Sequence, residues 1–169
     1  SISVGRSEIG PCLMSGGVSY QLASGKSSLA FQPLARIDEP NEMRAASEWL
    51  ELYLESLGEP VTTQRRQALQ NALDLVAKDQ PKLRTITGLR KWLKSIDPEL
   101  FAALKPISRE GNYGHVFDGD NATAMTWQPW TMFDVRALLA ETVPEWVVEP
   151  AIAHLLHLVR GRFTGQPTL

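Results

Sequence analysis

"YQLASGKSSLAFQPL", residues Tyr20 to Leu34, sets Gly25-Lys26-Ser27-Ser28 between two apolar runs, and the fold turns on whether that Gly-Lys-Ser cradles a phosphate. A phosphate-binding loop carries a glycine five positions before its Gly-Lys pair, because the backbone N–H groups between them curl around the β-phosphate. That position is Tyr20. Such a loop also follows a buried strand and opens a helix, with a Ser or Thr after the lysine to hold magnesium. Ser27 to Pro33 reads instead as a short extended run stopped by proline. The stretch therefore predicts a polar hairpin turn joining two short strands, Val18 to Leu22 and Leu29 to Phe31.

Working outward, 169 residues at 43% hydrophobic composition suffice for one core and a small second lobe. Seventeen basic and nineteen acidic side chains leave a net charge of −2, so no global field draws the chain to nucleic acid or an anionic membrane. A single cysteine, Cys12, excludes an internal disulfide and suits a reducing cytoplasm. No apolar run approaches the roughly twenty residues that span a bilayer, and the start shows no signal-peptide pattern. A soluble chain is expected.

Before the quoted stretch, Ser1 to Val4 reads as a short strand, Gly5-Arg6-Ser7 as a turn, and Ser7 as the cap of a brief helix through Met14. After it the period changes from two to about three and a half. Met43, Ala46, Leu50, Tyr53 and Leu57 mark an amphipathic helix that follows Asp38 and Pro40 and stops at Gly58 and Pro60. A second helix starts near Thr63, with Arg65 and Arg66 opposing the dipole at its start. Thr87 to Ser95 makes a third, and Asp97-Pro98-Glu99 opens a fourth that Lys105-Pro106 closes. Arg109 to Ala124 has no period and reads as an irregular connection, Trp130 to Val135 as a short strand. Thr142-Val143-Pro144-Glu145 matches a capping box ahead of a buried helix that Pro150 restarts or kinks. Gly165 to Leu169 reads as the approach to a further buried strand.

In this order "GRSEIGPCLMSGGVSYQL", "LAFQPLARIDEPNEMRAASEWLELYL", "FDGD" and "RFTGQPTL" resemble the stretch between the Walker A and Walker B motifs of TrbE-type conjugal-transfer ATPases, the large ATPases of type IV secretion. The resemblance runs from Gly5 to Leu169 and is most specific in "LAFQPLARID" with Glu48-Trp49-Leu50 and in the closing Arg-Phe-x-Gly-x-Pro-Thr-Leu. It implies an α/β, predominantly helical fold: part of a RecA-like P-loop ATPase core with a helical insert of about four helices. Residues 1–37 would be a partial core segment, 38–106 the insert, and 107–169 the return to the core. It further implies a parent that uses ATP and Mg2+, works as a homo-oligomer peripheral to the cytoplasmic face of the bacterial inner membrane, and contacts inner-membrane secretion components. The Walker A loop would lie before Ser1 and the Walker B strand after Leu169. No catalytic, cofactor-binding or metal residue is then expected in this chain, which alone should not hydrolyse ATP, since hydrolysis needs phosphate cradle, magnesium ligands and water-orienting carboxylate together. A core interrupted before its central strand should also self-associate through exposed sheet edges.

Other candidates come from the residues themselves. His154 and His157, three apart on one helix with His115 distant, read as a metal pair or as the polar edge of a buried helix, and no carboxylate or thiol stands at a helpful spacing. Asp118-Gly119-Asp120-Asn121 departs from a calcium loop, with Thr123 where its turn glycine belongs and Pro129 where its glutamate belongs, and reads as a turn. Leu89 to Lys94 sets Trp92 among Arg90, Lys91 and Lys94, a pattern of single-strand-binding surfaces and equally of a solvated face opposite Leu89, Trp92, Leu93 and Ile96. Trp127 and Trp130 flank Pro129 and either anchor an interface or pack the helical lobe onto the core. The candidate interface set is thus Trp127, Trp130, Arg90, Lys91 and Lys94. The alternative to an ATPase segment is a non-catalytic helical protein-docking module.

Overall fold

A computed structural model describes residues 2–3, 9–22, 30–118 and 127–164. The Gly25-Lys26-Ser27 turn, the Gly5-Arg6-Ser7 turn, Gly119 to Asn121 and the Gly165 to Leu169 approach lie outside them.

Helices dominate, and their ends follow local chemistry. Helix α1 spans Ile9–Met14 and α2 Pro40–Ser56, with proline in its first turn. Gly58 ends α2 at φ +82, and the Glu59 N–H returns to the Leu54 carbonyl at 2.8 Å, a closure that an L side chain at Gly58 would strain. In α3, Thr63–Lys78, the Thr62 hydroxyl caps the Arg65 N–H. The two arginines that oppose its dipole are offset by carboxylates: Arg65 bridges Glu59 at 2.9 Å and Glu99 at 2.6 Å, and Arg66 reaches Glu51 at 2.9 Å. Helix α4 covers Ile86–Ile96 and α5 Pro98–Ala103, where Asp97 accepts from the Glu99 and Leu100 N–H groups.

Between them and the sheet lies a short helix α6, Gly114–Phe117, inside the stretch expected to be irregular. A four-residue helix is too short to leave a period in the sequence. Strands β1 (Ile2–Ser3) and β2 (Val18–Gln21) flank β3 (Thr131–Asp134), both parallel to it, in the order β1-β3-β2. The register pairs Ile2 with Phe133 and Val18 through Gln21 with Thr131 through Asp134. The hairpin partner expected for β2 is therefore wrong. Phe31 lies outside any strand, and its N–H goes to the Val116 carbonyl of α6 at 2.6 Å. Every residue of β3 is buried, and such a strand takes neighbours on both edges, which local turns do not supply in parallel.

Gly17 sets the approach of α1 to the sheet. A Cβ there would lie 2.6 Å from both Cys12 Sγ and the Trp130 carbonyl, so only glycine fits. Helix α7, Glu145–Thr164, runs through Pro150. Its first helical bond joins the Val148 N–H to the Pro144 carbonyl at 3.2 Å, which puts the capping position on Pro144, two residues beyond the Thr142 of the expected capping box. One apolar core, from Leu22 through Leu155, runs across all these elements. Among the described residues no helix is long and apolar enough to cross a membrane.

Asp118 ties the helical part together. Its carboxylate accepts from the Ile86 N–H at 3.1 Å and the Thr87 N–H at 2.8 Å, while Thr85 Oγ1 takes the Gly88 N–H at 3.0 Å. The first three donors of α4 are satisfied by two side chains 33 residues apart in the sequence. The Thr87 hydroxyl and the Arg109 N–H complete the shell. Burial raises the Asp118 carboxyl above its ordinary range, and the bonds from Thr87 and Arg109 oppose that rise. Replacing Asp118 by Ala should orphan three backbone N–H groups and cost about 3 kcal/mol, against about 1 kcal/mol for Thr85→Ala, measured by urea unfolding. Equal costs for the two substitutions would reduce Asp118 to an ordinary turn residue.

Candidate functional site

Helix α7 lies against α2, and the seam between them opens as a groove. A cavity of about 350 Å³ is walled by Trp49 and Leu52 of α2 and by Ala153, His154 and Leu156 of α7, with Glu42, His157 and Arg160 among its charged lining. A second cavity of about 580 Å³ shares His154, His157 and Glu42 and reaches Trp127.

The two histidines behave oppositely. His154 is 8% exposed, its ring edge-on to Phe31 at 5.1 Å and to Trp49 at 6.3 Å between centroids. Burial, helped by His157, pushes its pKa down to about 3, so the imidazole is neutral. His157 stacks on it at 6.2 Å and meets Glu42 Oε2 at 3.0 Å. The helical spacing puts both rings on one side of α7, but only His154 faces inward, because Phe31 closes over it from the loop before α2. Among the described residues no three His, Cys, Asp or Glu side chains are placed to hold a metal. His115 is exposed and stacks on Tyr113 at 6.5 Å. The groove offers a neutral ring, an ion-paired ring and apolar walls, with no nucleophile in its lining, an arrangement suited to binding.

The cations of α4 part company. Arg90 is 3% exposed: its guanidinium donates to the Phe101 carbonyl, to Ser108 Oγ and to Glu110 Oε2, each at 3.0 Å, and lies 4.3 Å from the Phe101 ring. Through that bond Arg90 holds the Glu110 carboxyl below its usual range. Arg90 is therefore not on a solvated face, and the expected inner face is rotated. Ile86, Leu89, Arg90 and Leu93 point in, while Trp92 and Ile96 are exposed with Lys91 and Lys94. The reason is the turn after α5, which brings Phe101, Ser108 and Glu110 over the Arg90 side.

Of the tryptophans, Trp127 is half-buried, edge-on to Phe133 of β3 at 5.9 Å, and Trp130 is 59% exposed. Asp118 is a buried capping residue rather than a surface turn. At the carboxyl ends of the parallel strands, where ligands bind in open α/β sheets, Asp134 is buried and accepts from the Arg136 backbone N–H and guanidinium. Sequence reasoning missed both Asp134 and the groove. An acidic residue closing a strand flags Asp134; the groove needs the α2 and α7 pairing, which no local pattern carries.

No family model matches the chain. It is 23% identical over 155 residues to the conjugal transfer protein TrbE of Rhizobium radiobacter, covering 91% of this chain and 18% of that protein. It is 22% identical over 162 residues to a probable conjugal transfer protein TrbE of Sinorhizobium fredii (strain NBRC 101917 / NGR234), covering 93% of this chain and 23% of that protein. The chain thus spans under a quarter of either relative. The solved structure of VirB4 of Thermoanaerobacter pseudethanolicus superposes with a TM-score of 0.73 at 17% identity, over 97% of this chain and 48% of that one. The chain has the fold of part of VirB4, and its sequence likeness points to TrbE.

His154 gives a pH test of the groove. A histidine that titrates near 6.5 when unfolded and near 3 when folded contributes stability that is complete above the unfolded value and is lost as pH falls toward the folded one. Between about pH 6 and 4 the wild type should lose up to about 1.4 kcal/mol per pH unit more than His154→Phe. Urea midpoints across that range check it, and parallel slopes for the two proteins would contradict a buried neutral ring.

Proposed function

We propose that the chain is an internal segment of a VirB4/TrbE-type ATPase of type IV secretion, lying between its Walker A and Walker B motifs. In this reading β1, β2, β3 and α1 belong to a RecA-like core and α2 to α5 to its helical insert. The parent protein would bind ATP and Mg2+, assemble as a homo-oligomer at the cytoplasmic face of the inner membrane, engage secretion components there and couple hydrolysis to conjugative transfer. This segment would supply scaffold and contact surfaces and no nucleotide ligands.

The observation that carries the reading is topological. Two strands from the start of the chain flank a third that follows only after the whole helical stretch, all parallel, with α2 to α6 between. Parallel pairing demands a crossover, and an insertion as long as this one is what a helical lobe placed within an α/β core produces. The likeness to TrbE and the shared fold with VirB4 support the same assignment. Tyr20 in place of the first glycine argues in the same direction against a phosphate cradle at Gly25-Lys26.

Calorimetric titration of the 169-residue chain with magnesium-ATP should give no binding heat. Saturable micromolar binding lost in Lys26→Ala would overturn the placement, because the nucleotide site would then lie within this chain. Light scattering should show a dimer or larger species, and a clean monomer at high concentration would count against self-association through sheet edges.

A further inference from the structure

Helix α4 turns one face to solvent that no other described element covers. Trp92 is 40% exposed, Ile96 one turn later 38%, and Leu83, in the short 3-10 turn before the helix, 38%. Leu83, Gly88, Lys91, Trp92 and Asp79 line a pocket of about 220 Å³, room for one large aliphatic or aromatic side chain. Gly88 brings the helix backbone hard against the Leu83 carbonyl, so the pocket floor is rigid main chain.

The charge around this pocket is unusual for the molecule. Five of the six lysines, Lys78, Lys82, Lys91, Lys94 and Lys105, fall in this part of the chain, the sixth being Lys26. Lys82, Lys91 and Lys94 are exposed, and among the described residues none of the three is in an ion pair. The arginines behave otherwise: Arg36, Arg44, Arg65, Arg66, Arg84, Arg90 and Arg136 each hold a carboxylate of this chain. A protein of net charge −2 thus leaves one local concentration of positive charge uncompensated, beside its exposed apolar pocket.

Two kinds of partner suit cations near a tryptophan, and the pocket distinguishes them. Nucleic-acid strands stack on open ring faces along a continuous basic track. Here the Trp92 indole N–H is tied to Asp79 Oδ2 at 3.1 Å, which fixes the ring as a pocket wall and sets a carboxylate beside it, where a phosphate would be repelled. A polypeptide avoids that conflict, because its apolar side chain can fill the pocket while its carboxylates meet the lysines outside it.

We propose that Leu83, Trp92 and Ile96, flanked by Lys82, Lys91 and Lys94, form a docking surface for an acidic amphipathic segment of a partner protein, with one large apolar side chain seated in the pocket. The surface lies on the helical part, away from the sheet, and goes beyond the nucleotide reading: it stands or falls independently of where the Walker motifs lie.

The test is selection of random peptides displayed on phage against the 169-residue chain at about 50 mM salt, where surface attractions are least screened. The dissociation constants of the enriched peptide are then measured against variants, with a synthetic oligothymidylate and phosphatidylglycerol vesicles as rival ligands. The expected peptide carries Leu, Ile or Phe flanked by Asp and Glu. Its affinity should fall about tenfold or more in Trp92→Ala and in the Lys91→Glu/Lys94→Glu pair, and stay unchanged in Arg44→Ala on α2. Both lysines are exposed and outside any ion pair, so the double variant decides the matter even if Trp92→Ala fails to fold. No enriched peptide, a peptide without acidic residues, or one that binds all variants equally overturns the proposal. So does Trp92-dependent binding of oligothymidylate or vesicles tighter than that of any peptide, which would assign the patch to nucleic acid or membrane.

Discussion

The indole N–H of Trp49 donates to the Pro150 carbonyl at 2.8 Å in a buried setting, joining residues 101 apart. Pro150 has no N–H to give the helical ladder, so α7 is weakest where α2 grips it. A buried indole N–H is costly without an acceptor, and this pairing satisfies it while fixing the rotation of one helix on the other. The ring then gathers an aromatic cluster: Tyr53 at 6.3 Å, Phe117 of α6 at 5.4 Å and His154 at 6.3 Å. Tyr53 in turn donates to the Ala103 carbonyl at 2.8 Å at the end of α5. Through two side chains of one helix, α2 reaches α5, α6 and α7, and the groove with its neutral histidine is what remains open beside that contact.

How much of this is legible in the sequence depends on whether the information is local. Helices α2 to α5 can be placed to within a residue or two because Thr62, Thr85, Asp97 and Gly58 act on their immediate neighbours. Strand β2 shows in its alternation, but its partner does not, since a parallel partner lies across the whole helical stretch and leaves no trace in the turn that follows. Arg90 and Asp118 mislead for a shared reason. Each is a charged residue whose helix or turn looks solvent-facing by pattern, and each is buried by acceptors or donors that arrive from an aperiodic segment or a distant helix end. His154 falls between these cases, its helix correct and its burial decided by Phe31 from a loop.

The same distribution of local and distant information bears on function. Residues that recognise a nucleotide are placed by short motifs, and the described part of this chain shows capping and packing instead. Its open features are surfaces: the α2/α7 groove and the exposed face of α4. Both rest on one continuous core, in which the helical part and the strands share Leu22, Phe31, Phe117, Phe133 and Leu155. A contact made on the helices is therefore mechanically joined to the sheet, as a segment of a larger motor would require.

The central claim is that Trp49 makes α2 and α7 one cooperative unit. Native-state hydrogen exchange on the wild type and Trp49→Phe addresses it directly, because Phe keeps a ring and deletes the donor. Amides of α2 and α7 should exchange with a common opening free energy in the wild type and accelerate together, by about tenfold, in the variant. Acceleration confined to α7, with α2 unchanged, would show that the two helices open separately and that the Trp49 contact does not hold the structure together.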